Sequence, residues 1–207
     1  YLLNMKEKLL AQAKMIIYGV FPLKIANKVI EEGRYVHQVF GGFIIGKLLD
    51  SLIIGLICFV LLGFANMPYV LLVSVIVGVT NVIPFFGPFI GAIPSAFLIL
   101  LSDPMKCLYF LIFVLLLQQF DGNILGPKIL GDSTGLSSFW VLFSILLFGG
   151  LMGFVGMIIG VPTFAVMYRL VTEFTTWRLG KKALSGNLNE YDRLNYIDET
   201  EQTYIKK

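Results

Sequence analysis

The sequence predicts an all-α polytopic membrane protein with interrupted helices or re-entrant hairpins and an amphipathic helical pair outside the bilayer. Three observations carry that prediction. Of 207 residues, 57% are hydrophobic and 14% charged, where a soluble domain carries about 25% charged. The charges also cluster: between Asp50 and Arg169 only Asp103, Lys106, Asp121, Lys128 and Asp132 occur, so a nearly charge-free middle lies between polar ends. That middle is cut by proline and glycine, most densely in "NVIPFFGPFIGAIPS", residues 81–95.

The same features exclude several classes. A net charge of +3, with no basic cluster interleaved with aromatics, predicts no nucleic-acid partner. Cys58 and Cys107 lie in or beside apolar runs without CxxC spacing, and read as packing residues. His37 stands alone at a polar–apolar junction, and no metal cluster, Walker loop, dinucleotide fingerprint or Ser–His–Asp group is visible. The expectation is no cofactor, no metal and no enzymatic chemistry. There is no cleavable signal peptide, and the start "YLLNMKEKLL" without an initiator methionine suggests a chain that begins partway through a longer protein.

Along the chain, Leu9, Leu10, Ala13, Ile16, Ile17 and Val20 mark one apolar helical stripe. Asn4 and Glu7 have capping-box spacing, so a helix should start near Met5. Gly19 can end it and Pro22 can start a second amphipathic helix through Ile25, Val29 and Ile30. Residues 1–38 thus form a polar helical pair, read as a solvated, cytoplasmic unit rather than a lipid-sensing one. The transport-type membrane region is 39–171, and 172–207 is a polar tail. Residues 42–64 make one full span, since about 20 apolar residues suffice. Lys47 and Asp50 fall in its first turns, facing protein or snorkelling toward the interface. Residues 69–101, divided by the broken stretch, form two thin crossings or one re-entrant hairpin. "SDPMK" is a turn with a proline at a helix start, and residues 136–171 suffice for two spans around a glycine-dense middle. Lys6, Lys8, Lys14, Lys24, Lys28 and Arg34 before the apolar region, and Arg169, Arg178, Lys181 and Lys182 after it, place both flanks on the cytoplasmic side.

Non-helical backbone at membrane depth is tolerated only inside protein or along a wet cavity. Pro84, Pro88 and Pro94, with Gly87 and Gly91, free several carbonyls in one place; a packing kink is the plainer reading. "QQFDGNILGPKILG" echoes the pattern with Gly126, Pro127 and Gly131, and Asn81 precedes the first Gly-Pro pair as Asn123 precedes the second. Paired broken segments point to a transporter binding site. Asn81, Gln118, Gln119, Asp121 and Asn123 are therefore the candidate path for solute or ion. The amides suit a neutral polar solute, and Asp121 is either an interfacial cap, a partner for Lys128 or a working carboxylate. Gly149, Gly150, Gly153, Gly156 and Gly160, with Pro162, read as close helix packing or a sliding seam.

"YVLLVSVIVGVTNVIPFFGPFIGAIPS", "LLLQQFDGNILGPKILGDSTGLSS" and "LFGGLMGFVGMIIGVPTFAVM" closely resemble, in order, the signature blocks of the autoinducer-2 exporter family. The likeness runs from about Tyr1 to Leu170. It implies about eight membrane helices in the complete protein, the first two or three absent here. It also implies a homo-oligomer, a pentamer, in the bacterial inner membrane, surrounded by lipid and moving a substrate-carrying part like an elevator. The family's reported activities divide between export of the quorum-sensing furanone and sodium(lithium)/proton antiport. Its asparagine–proline block falls on Asn81, Pro84, Gly87, Pro88, Gly91 and Pro94, and its glutamine–asparagine–proline block on Gln119, Asn123 and Pro127, beside Gln118. One departure is "GLSS" where many members have "GLHP", which removes a histidine that could titrate. The resulting expectation is a secondary transporter exporting a small polar solute. The alternatives are a cation/proton antiporter on the same scaffold and a non-transporting membrane scaffold.

Overall fold

The computed structural model describes residues 5–130, 134–198 and 204–206. It divides into two compact units, Tyr1–Thr163 and Phe164–Lys207. Asn4, the expected cap, and Gly131 lie outside the described residues.

In the first unit, α1 (Lys6–Val20) follows Met5, which gives no side-chain cap, and none of its residues is buried. Pro22 then precedes α2 (Leu23–Phe64), a single helix of 42 residues. The sequence suggested a separate amphipathic helix before the span at 42–64. Nothing between Leu23 and Phe64 removes a backbone donor, however, so the ladder continues from the polar half into the apolar half. Asn66 and Tyr69 take left-handed backbone on either side of Met67 and Pro68, turning the chain into α3 (Val70–Thr80).

The 11 residues of α3 reach only about 16 Å at 1.5 Å per residue, against about 30 Å of hydrocarbon. Residues 81–86 turn, and α4 (Gly87–Ser102) returns. Gly87 meets Thr80, and Gly91 meets Thr80 and Val77, so the two helices run antiparallel. The two form a helical hairpin, a pairing common to both arrangements the sequence allowed. Asp103 then accepts from the N–H groups of Met105 and Lys106 at 2.9 and 3.2 Å and caps α5 (Pro104–Phe120). A π-helical turn (Asp121–Leu125) joins α5 to α6 (Gly126–Leu130).

The last long element is α7 (Ser138–Lys181), interrupted at Gly153 with φ 62° and ψ −140°, a backbone region essentially reserved for glycine. Gly156 lies against Phe148, Gly160 against Phe148 and Ser144, and Gly149 against Met157, so 138–152 and 154–163 fold back on each other. The glycine-dense middle is thus a reversal between two arms, with Gly150 in open space and Pro162 buried.

One core joins Ile54, Cys58 and Leu62 of α2 to Val73 and Val77 of α3, Ile99 of α4 and Phe110 of α5. Both cysteines are free and buried, as packing residues. A smaller cluster, Phe43 with Ile145 and Val161, seats the second hairpin. Among the described residues three helices, Leu23–Phe64, Pro104–Ile129 and Ser138–Lys181, are long and apolar enough to cross a membrane. The chain is an all-α, multi-pass membrane protein.

In the second unit the remainder of α7 carries an Arg169–Glu173 ion pair at 2.8 Å and Lys181 over the Trp177 ring. Beyond it lie two antiparallel strands not anticipated from the sequence, β1 (Leu194–Ile197) and β2 (Tyr204–Lys206). Tyr204 holds them to the tail: its ring meets Tyr191 edge-on at 5.6 Å and its hydroxyl accepts from the Ser185 N–H at 2.7 Å.

Two substitutions test these close approaches. A Cβ on Gly78 would stand 3.0 Å from the Gly55 Cα and 3.3 Å from the Ser51 carbonyl. Gly78→Leu should therefore destabilise by about 1–3 kcal/mol and lower the melting midpoint in detergent, while Gly33→Ala, in open space, leaves it unchanged or slightly higher. Gly153→Ala should cost about 1–3 kcal/mol through backbone strain; an unchanged midpoint refutes the reversal at that residue.

Candidate functional site

The site begins with a helical register. Lys47 and Asp50 are three residues apart on α2 and so share a face; both are buried, at 7% and 0% exposure. The Lys47 ammonium donates to Asp50 Oδ2 at 2.6 Å. Where α2 and α3 cross at Gly55 and Gly78, backbone approaches backbone, which brings the C-terminal end of α3 alongside Asp50. Asn81, there, is 2% exposed, and its Nδ2 donates to the same Asp50 oxygen at 3.3 Å.

Asp121, 8% exposed, opens the π-helical turn and lies against Asp50, Lys47 and Asn81. Two carboxylates thus face one ammonium. The second oxygen of each, Asp50 Oδ1 and Asp121 Oδ1, is buried without a hydrogen-bond partner among the described residues, and so is Gln118 Nε2. Orphaned charged atoms are costly and cluster where proteins bind something.

Lys47, Asn81, Gln118 and Asp121, with Asp50 buried behind them, close one end of a cavity of about 1,170 Å³. Lys47, Asn81, Gln118, Gln119, Asp121 and Thr134 supply its polar lining, and the remaining wall is mostly apolar. Of the five residues expected on the path, Asn81, Gln118, Gln119 and Asp121 line it. Asn123 does not: it is exposed, and its Nδ2 donates to the Gln119 carbonyl at 2.8 Å and to Gln119 Oε1 at 3.0 Å. It holds Gln119 rather than the cavity.

Of the helix-breaking residues, Pro84, Pro88, Gly126 and Pro127 reach the lining. In the first broken stretch, open backbone is confined to 81–86, where Phe85 takes φ 63° and the Phe86 N–H bonds the Pro84 carbonyl at 2.7 Å. Pro88 sits at the start of α4, where a missing N–H leaves no gap. Gly91 and Pro94 are inside α4, Gly91 at the contact with α3 and Pro94 leaving the Ile90 carbonyl without its helical donor. Two features thus differ from the sequence-based reading. The first break is shorter than the proline spacing suggested, and the second is a widened turn in a continuous helix. Pro127 would crowd the carbonyl four residues back in a regular α-helix, and the wider turn ahead of it relieves that. Such π-turns recur at functional sites.

Lys47 and Asp50 were not among the expected path residues. Their signal was present: opposite charges three apart within an otherwise apolar run, which is the spacing of a buried intrahelical pair.

The AI-2E family transporter model matches residues 2–176. "Putative transport protein YrrI" of Bacillus subtilis is 39% identical over 145 residues, 70% of this chain and 41% of that protein. A second B. subtilis relative, "Putative transport protein YueF", is 30% identical over 148 residues, 72% of this chain and 40% of its own. "AI-2 transport protein TqsA" of Escherichia coli is 29% identical over 149 residues, 72% of this chain and 43% of its own. The chain therefore spans about two fifths of the length of these relatives. No solved structure matches. With the family model covering most of its length, the chain belongs to the AI-2E transporter family.

Proposed function

We propose that this protein is a secondary transporter that exports a small polar solute, of the autoinducer-2 kind, across a bacterial inner membrane. The observation that carries this reading is the cavity, where Asn81, Gln118, Gln119 and Asp121 converge from α3 and α5 beside a hairpin tip. Amides both donate and accept, and so suit a neutral polyhydroxylated solute. An elevator-type motion is supported by the α3–α4 hairpin, which brings its tip to the cavity and packs on α2 through Gly55 and Gly78. Small residues there let the two backbones run close together with no side chains wedged between them. The inner-membrane assignment rests on the lysines and arginines that flank the apolar region. Assembly as a homo-oligomer, a pentamer by family resemblance, belongs to the same proposal and is read from the size of the intact protein in mild detergent.

The experiment is a flux assay on the full-length protein in proteoliposomes, with labelled furanone and other small polar solutes. Asn81→Ala and Gln118→Ala should each lower flux about tenfold, the loss of roughly one buried hydrogen bond to solute. Pro88→Ala should lower it as well. Unaltered flux in all three refutes these residues as the path, and no flux of any solute leaves the non-transporting scaffold as the better account.

The facing of Asp50 and Asp121 across one lysine favours a second reading, sodium(lithium)/proton antiport with Asp121 as the coupling carboxylate. Asp121→Asn should then abolish ion-driven proton movement in proteoliposomes, whereas export of a neutral solute should largely survive it.

A further inference from the structure

We infer that the cavity has a further cargo class: amphipathic amines, their ammonium head at Asp121, with Asp50 behind it, and their apolar body along α4 and α5. The inference takes the cavity as the transport site of the preceding reading.

Three features on the cavity wall point there. The first is charge: two carboxylates share one ammonium, so the polar end lacks one positive charge. The second is hydrogen bonding. Asp50 Oδ2 already accepts from Lys47 and Asn81, while Asp50 Oδ1 and Asp121 Oδ1 accept from nothing among the described residues and are shut off from solvent. What completes them must bring donors as well as charge, which an ammonium with its N–H groups does. The third is the rest of the wall. Beyond the polar end, Phe85, Phe89 and Ile93 from the hairpin face Leu111 and Leu115 from α5 across about 1,170 Å³. A bare metal ion uses none of that surface, and the described residues hold no group of three or more His, Cys, Asp or Glu side chains placed to bind one. A neutral sugar-like solute leaves the apolar wall unanswered. An amine on an aromatic or aliphatic body matches both ends, and Phe85 and Phe89 can add cation–π attraction near the head. Phe89 and Leu115 are each 67% exposed, so the apolar wall is open to an apolar body.

The test is equilibrium binding to the full-length protein in detergent, using labelled 2-phenylethylamine and its neutral counterpart 2-phenylethanol, with proteoliposome flux run in parallel. The amine should bind at least about tenfold more tightly than the alcohol, one charge-assisted contact being worth that factor. Asp121→Asn and Asp50→Asn should each weaken amine binding about tenfold and leave the alcohol unmoved. Lys47→Gln should tighten it, because the variant removes the competing internal cation. That opposite sign separates a charge-selecting site from loss of fold, which would weaken binding in all three variants alike. Equal binding of amine and alcohol, or weakening by Lys47→Gln, overturns the inference, as does displacement of the amine by sodium with no dependence on its apolar body. Furanone flux without amine binding overturns this inference and keeps the transporter reading. Amine binding without flux of any solute keeps the site and overturns the transporter reading.

Discussion

A carboxylate sealed from water must be answered by the protein around it, and Asp50 is answered from two separate elements. Lys47 on its own helix neutralises it, and Asn81 at the end of α3 donates to the same oxygen. The second contact ties the tip of a short hairpin to a helix long enough to cross the membrane. The turn at 81–86 answers its own backbone locally, the N–H groups of Asn81, Val82, Ile83 and Phe86 each donating to a nearby carbonyl, as an apolar setting requires. That tie sets Asn81 at the polar end of the cavity.

Glycine makes the tie possible. Water gives no hydrophobic push between helices in lipid, so association depends on close packing. Gly55 and Gly78 bring α2 and α3 near enough for an asparagine to reach Asp50. Gly87 and Gly91 do the same between α3 and α4, and Gly156 and Gly160 between the arms of α7. Small residues thus set the distances between elements, and the polar groups exploit them.

Much of this was legible in the sequence. The apolar run at 42–64, the proline after Asp103 and the glycine-dense reversal in α7 follow from composition and local backbone chemistry, and each is found. Four of the five candidate path residues share one cavity because amides ending apolar runs have to be buried somewhere common. What escaped the sequence depended on three-dimensional register. Asn123 is turned outward by the π-helical turn, whose extra residue alters every side-chain direction after Asp121. Lys47 and Asp50 are adjacent on a helical face, yet their importance shows only once α3 and the π-turn arrive beside them. The small strand pair depends on Tyr191 and Tyr204 meeting, a contact between residues thirteen apart that no local pattern encodes.

The spacing of Lys47 and Asp50 also bears on biogenesis. A lone lysine or aspartate near the middle of an inserting helix costs about 2.5–3.5 kcal/mol on translocon scales. Here the two charges sit one turn apart on α2, so they can neutralise each other as soon as that turn forms, before α3 has been synthesised. The helix can leave the translocon as a nearly neutral segment. Asp121 has no such partner on its own helix: Lys128 is seven residues away and exposed. Its insertion is eased only when α5 docks against the earlier segment, which makes the order of synthesis, α2 first and α5 later, part of how a charged interior is assembled inside a bilayer.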